Sequence, residues 1–161
     1  MLIYQASVNE YAPLQTGASV TSEFTVTGGG VTEAVTAEET ISFAALPVLS
    51  ISKSLSPASV SENGVLTYTF IIQNSGGAAA GADENAVISD TFSPVLGSPA
   101  VSFNGSAWTS GANYSYDAVG GVFTTTAGQI TVPAAVYTQD PETGVWSVEP
   151  GQSVLTVSGT V

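Results

Sequence analysis

Residues 2 to 8 set Leu2, Tyr4, Ala6 and Val8 on one side of the chain and Ile3, Gln5 and Ser7 on the other, the two-residue alternation of a half-buried strand. The same period recurs over 19–27, with Val20, Phe24 and Val26. It returns over 46–55, where Leu49, Ile51 and Leu55 share one face and Val48 the other, and most clearly in VLTYTFIIQ, 65–73. Shorter runs predict strands around 85–89, 100–103, 110–117, 122–126, 130–132 and 136–138. The last predicted strand, 153–161, alternates Leu155, Val157 and Val161 with Thr156, Ser158 and Thr160.

Turn residues separate these runs: Gln15-Thr16-Gly17, Gly28-Gly29-Gly30, Ser56-Pro57, Glu62-Asn63-Gly64, Ser75-Gly76-Gly77, Gly120-Gly121 and Glu142-Thr143-Gly144. Short strands at that spacing predict an all-β sandwich of Ig-like type rather than a βαβ fold. The alanine-rich stretch 78–84 is read as a loop, because Gly81 interrupts it and Gly76-Gly77 precede it.

Composition sharpens this picture. Charged residues make up only 9% of the chain, against about 25% in an average soluble domain. Ser, Thr, Ala, Val and Gly take their place. Thirteen acids face a single base, Lys53, for a net charge of −12, so nucleic acid and anionic bilayers are expected to be repelled. The sequence has no cysteine and no histidine, which removes disulfides, thiol catalysis and the commonest general base. No enzyme activity and no cofactor are expected. Residues 1 to 8 carry no basic segment and no long apolar core, and no run reaches the roughly 18 apolar residues of a membrane span, so a soluble chain with no secretion signal of its own is expected.

Both ends of the sequence lie within apolar β patterns. An alternating strand left open is an aggregation hazard unless something pairs it. Either the two end strands pair within the chain, or each completes a sheet in another copy, and the second arrangement builds a polymer. Its interface is expected at Leu2, Tyr4, Ala6 and Val8 on the donor side and at Leu155, Val157 and Val161 on the acceptor side.

Lys53, mid-strand in VLSISKSLSP, has two readings: a solvated lysine on a polar strand face, or a buried, neutral amine that attacks an Asn or Asp side chain to form an isopeptide bond assisted by an acid. The acid would be Asp90, at a strand end in AVISDTF, and the amide one of Asn9, Asn74 or Asn85; alternatively Asp90 is a turn residue bonding local backbone. Asp83, Glu84 and Asp90, or Asp140 and Glu142, supply hard oxygens but lack the spacing of a dedicated calcium loop, so no metal site is assigned. Trp108, Tyr114, Tyr116, Tyr137 and Trp146 fit either core packing or a sugar-stacking face.

The segment 47–94 carries Lys53 and Pro57, then Gly64 and Tyr68, then Asn74 and Gly76, then Asp90, Thr91 and Pro94. In this pattern it resembles the bacterial surface repeat catalogued as domain of unknown function number eleven. The resemblance implies an Ig-like sandwich from a tandem array on a cell or spore surface. A repeat of this kind would continue past EPGQSVLTVSGTV into strands similar to LIYQASVNEY and SEFTVT, which here stand at the N-terminus, as in a circular permutation or a slice across two repeats. Tyr4 stands where the family often has Asn, which removes one candidate isopeptide amide.

The expected organisation is therefore an N-terminal strand segment, 1–46, that completes a sheet, followed by a sandwich, 47–161. The expected role is a structural subunit of an extracellular filament or appendage, with copies of itself as partners. The alternative is a stalk or adhesion module that binds glycan or a host protein through loops near Trp108 and Tyr114 to Tyr116.

Overall fold

The computed structural model describes residues 5, 7, 9–13, 17–30, 32–42 and 45–161. The strands are β1 (Ser19–Val26), β2 (Val35–Ser42), β3 (Leu49–Ser56), β4 (Val65–Asn74), β5 (Ser89–Thr91), β6 (Gly97–Phe103), β7 (Ser106–Trp108), β8 (Tyr114–Tyr116), β9 (Val122–Thr125), β10 (Val136–Gln139), β11 (Trp146–Glu149) and β12 (Gly151–Thr160). The only helical element among the described residues is a 3-10 turn, Ala82–Glu84, inside the stretch read as a loop. The chain is an all-β sandwich.

One sheet has the order β3-β4-β12-β6-β7 and the other β5-β9-β8, antiparallel throughout. The long strands follow the period-two pattern closely. β4 turns Leu66, Tyr68, Phe70, Ile72 and Asn74 inward, and β12 turns Ser153, Leu155 and Val157 inward. Leu155 lies between Phe70 and Phe103, and Val157 between Tyr68 and Val101. The second sheet closes on them through Phe123 and Tyr114, with Phe92, just after β5, filling the space between. Phe92 stacks on Tyr68 at 4.5 Å between ring centres and lies 5.6 Å from Phe123. Burying such rings is what stabilises a sandwich that has few charged contacts and no disulfide.

The strand map differs from expectation in several places, and β2, β7 and β11 are strands that the pattern did not predict. Residues 130–132 contribute only an isolated bridge, Val132 to Ala80, although Ile130 and Val132 are fully buried. Residues 85–88 precede β5 and lie outside it, with Asn85 in the left-handed conformation after the 3-10 turn.

Among the described residues of the N-terminal segment, none joins either large sheet. Among the described residues β1 and β2 pair only with each other, in register from Ser19–Ser42 to Val26–Val35. Val20, Val26, Val35 and Ile41 are exposed on one face of this hairpin. Glu23 stands directly opposite Glu38 on the other, a like-charge pair that weakens it. The β10–β11 hairpin also forms its own two-stranded sheet and is largely exposed.

Candidate functional site

Leu155 and Val157, expected at an intermolecular edge, lie elsewhere. β12 is flanked on both edges, by β4 and by β6, so its backbone hydrogen-bonding groups are used within the chain and these side chains are wholly buried. Val161 is held by backbone bonds to Gly64 and Asn63. The donor residues Leu2, Tyr4, Ala6 and Val8 lie outside the described residues.

β3 is an open edge of the larger sheet. Among the described residues it pairs only with β4, and all eight of its residues are exposed. Its inward-facing set is Leu49, Ile51, Lys53 and Leu55, opposite the buried Asn74, Ile72, Phe70 and Tyr68 of β4. These β3 side chains point into the sandwich, yet the second sheet stops short of them. β5 is an edge of that sheet, and among the described residues it pairs only with β9. Between β3 and β5 runs an apolar slot whose walls include Ile51, Ile72, Val87, Ile88 and Ile130.

The β3 register is fixed from its start. Asn74 is fully buried and uses its whole amide: Oδ1 accepts from the N–H groups of Val48 and Gly76, and Nδ2 donates to the carbonyls of Ala78 and Pro133, at 2.7–2.9 Å. Ser75 N–H donates to the Val48 carbonyl, which extends the β3–β4 ladder backward. Gly76 sits so close to the passing chain that a Cβ would collide with the Leu46 carbonyl and the Val48 nitrogen. In an antiparallel ladder, backbone groups alternate between the two edges. The Val48–Ser75 bond places 48, 50, 52 and 54 on the β4 side. The N–H and C=O of Leu49, Ile51, Lys53 and Leu55 therefore point to the open edge.

Lys53 and Asp90 meet across the slot. The Lys53 ammonium forms an ion pair with Asp90 Oδ2 and lies 4.7 Å from the Tyr68 ring centre, 5.6 Å from Phe92 and 5.7 Å from Phe70. Asp90 Oδ1 accepts from Thr91 N–H, while Oδ2 is shielded from solvent and has no hydrogen bond beyond the ion pair. The sequence reading thus named two residues that the fold brings together.

The third isopeptide partner is not beside them. Asn74 is opposite Leu49, four positions along the strand, with its amide fully used. Asn85 donates to the Asp83 carbonyl, and Asn9 accepts from Tyr11 N–H. Lys53 itself is 39% exposed, so in the chain alone it is not the dehydrated amine that such a reaction requires.

The remaining candidates are dispersed. Asp90 pairs with Lys53, and among the described residues no three acids converge. Asp140 caps its own turn, accepting from the N–H groups of Glu142 and Thr143, and these bonds hold its carboxyl below the usual range. Tyr114 is buried against Phe123, Trp108 stacks on Phe103 at 5.0 Å, and the Tyr116 hydroxyl accepts from Leu96 N–H. Of the two readings of these aromatics, Tyr114 and Trp108 follow core packing, because β8 turns Tyr114 inward and Trp108 stacks on Phe103. No family model matches the chain, and no curated protein and no solved structure matches it.

Proposed function

We propose that the chain is a structural subunit of an extracellular filament or surface appendage, polymerising head-to-tail by β-strand complementation. The observation that carries this reading is the slot: β3 offers a row of backbone donors and acceptors, and its core-facing side chains Leu49, Ile51 and Leu55 are exposed where a further strand would cover them. An incoming strand gains backbone hydrogen bonds along β3 and buries apolar surface against the core in the same step. A contact in which one copy gives a strand and the next receives it is heterologous, and unless the rotation closes a ring it propagates.

The resemblance of 47–94 to a surface-repeat family supports an extracellular setting. The absence of cysteine suits a fibre held by strand pairing instead of disulfides. The net charge of −12 fits the same picture, since it keeps copies soluble until a short-range apolar contact overcomes their repulsion.

The test is electron microscopy with sedimentation velocity on the wild type and on Ile51→Glu at equal concentration. Fibres from the wild type and folded monomers from the variant are expected. Single particles from both across concentration and salt would overturn the reading.

A further inference from the structure

We infer that the occupant of the slot is residues 2–8 of a second copy, running antiparallel to β3 with Val8 opposite Leu49, Ala6 opposite Ile51, Tyr4 opposite Lys53 and Leu2 opposite Leu55. The inference rests on the strand-complementation reading and identifies its donor and register.

Charge comes first. The slot is apolar except at one point, and residues 1–8 contain no charged side chain. β2 is the sequence-adjacent alternative, able in principle to fold back on β3. It carries the consecutive pair Glu38-Glu39, and because neighbouring residues of a strand face opposite sides, one of the two would enter the slot in any register that overlaps them.

The inward positions also match. β3 presents four, with its polar group third, and residues 2–8 present four, with their only polar group, the Tyr4 phenol, second. Antiparallel alignment is the full-length register that brings Tyr4 to Lys53. There the phenol can donate to Asp90 Oδ2, the shielded oxygen whose one partner among the described residues is the Lys53 ammonium. Parallel alignment over the same length sets Ala6 at Lys53 and leaves that oxygen as it is.

The place from which the segment departs favours a second copy. Trp146 N–H donates to the Glu10 carbonyl at 3.1 Å, so the chain just after residue 8 is held at the far end of the β10–β11 hairpin, where Trp146 pairs with Gln139. That pair is three residues beyond Val136–Glu149, and Ala135 N–H bonds Gly76 at the start of the slot. The offset is about 10–13 Å at 3.3 Å per residue. Returning over it would use three or four residues of the segment, leaving too few to cover the four slot positions of the same copy.

Paired cysteine substitutions test this in the full chain, which has no cysteine of its own. With 49, 51, 53 and 55 bonded to the donor, position 50 becomes a non-hydrogen-bonded site, where opposed Cα atoms are about 4.5 Å apart and within disulfide range. Ser7→Cys with Ser50→Cys is expected to give a reducible covalent ladder on denaturing gels. Ser7→Cys with Ser54→Cys should give none. Gln5→Cys with Ser52→Cys sits opposite in either direction, and reports the donor regardless of orientation.

A ladder from the Ser54 pair instead would overturn the register. Fibres without a ladder from any pair would overturn residues 2–8 as donor while leaving strand complementation standing. A disulfide confined to monomers would overturn the second copy. Absence of both fibres and ladders would overturn this inference together with the reading on which it rests.

Discussion

Ile51 and Ile72 stand directly opposite each other across β3 and β4, yet Ile72 is 3% exposed and Ile51 is 54% exposed. Two identical side chains on the same face of one sheet differ because β12 lies beyond Ile72 and no described strand lies beyond Ile51. Truncation should therefore separate stability from assembly. Ile72→Ala should destabilise the fold by about 2–4 kcal/mol, as cavity-forming core substitutions do. Ile51→Ala should cost the isolated subunit under about 1 kcal/mol while weakening association. Chemical denaturation of dilute protein, paired with sedimentation at higher concentration, checks both.

Asn74 links three segments through one buried amide: the lead into β3, the loop after β4, and Pro133. Asn74→Ala should cost roughly 3 kcal/mol, since several buried backbone groups lose their partner at once. Its effect should spread to β3, with faster amide exchange at Val48 and Ser75. Equal exchange in variant and wild type would show that the β3–β4 ladder needs no pin.

Lys53 and Asp90 form a partly exposed pair, which limits what it contributes. Lys53→Met is expected to destabilise by about 1 kcal/mol, more through the shielded Asp90 oxygen left uncompensated than through lost attraction. Asp90→Asn in the Lys53→Met background should recover part of that loss. A double-mutant cycle by thermal denaturation measures the coupling, and additive effects would place the two residues outside any shared interaction.

The Asp140 carboxylate is held below its ordinary pKa first by the Thr143 N–H, then by the Glu142 N–H. A lowered folded pKa means that the stabilisation is complete above the unfolded value, about 3.9. It is lost as pH falls through the folded one. The β10–β11 turn should thus hold at neutral pH and fray in acid below about pH 4. Following the Glu142 and Thr143 amide resonances during an acid titration checks this, and a midpoint at or above the ordinary value would contradict it.

The long strands were legible in sequence because burial on one face enforces the period. β4 and β12 carry five and four inward buried positions without interruption. β2 was not legible, since VTAEETIS places Ala37 and Glu39 among the residues that should mark its apolar face. β7 had an unread signal: Asn104-Gly105, both with positive φ, joins Phe103 to Ser106 as a two-residue hairpin turn.

Which strand lies at an edge is a matter of topology that period does not encode, and so the acceptor was expected at β12. One residue carried the hint. Lys53 belongs to the inward-facing set of β3, and an inward-pointing charge is a device of edge strands. The isopeptide reading brought Lys53 and Asp90 forward together, as the single base and an acid at the end of an apolar strand, but their contact depends on the two sheets facing each other across the slot.

Salt should act on assembly in one direction. Copies of net charge −12 repel at long range, while the slot contact is apolar and short-ranged. Raising ionic strength from low values should therefore accelerate fibre growth by screening repulsion. Light scattering across a salt series checks it, and slower growth with salt would point to charge pairing as the driving contact.

The central claim concerns the outer edge of β3, and residue-resolved amide hydrogen exchange reads that edge directly. In dilute monomer the N–H groups of Leu49, Ile51, Lys53 and Leu55 should exchange quickly while those of Tyr68, Phe70 and Ile72 are protected. In assembled material all four β3 amides should become protected together. Assembled material in which these four still exchange as fast as in the monomer would show that the copies meet elsewhere, and would contradict the account.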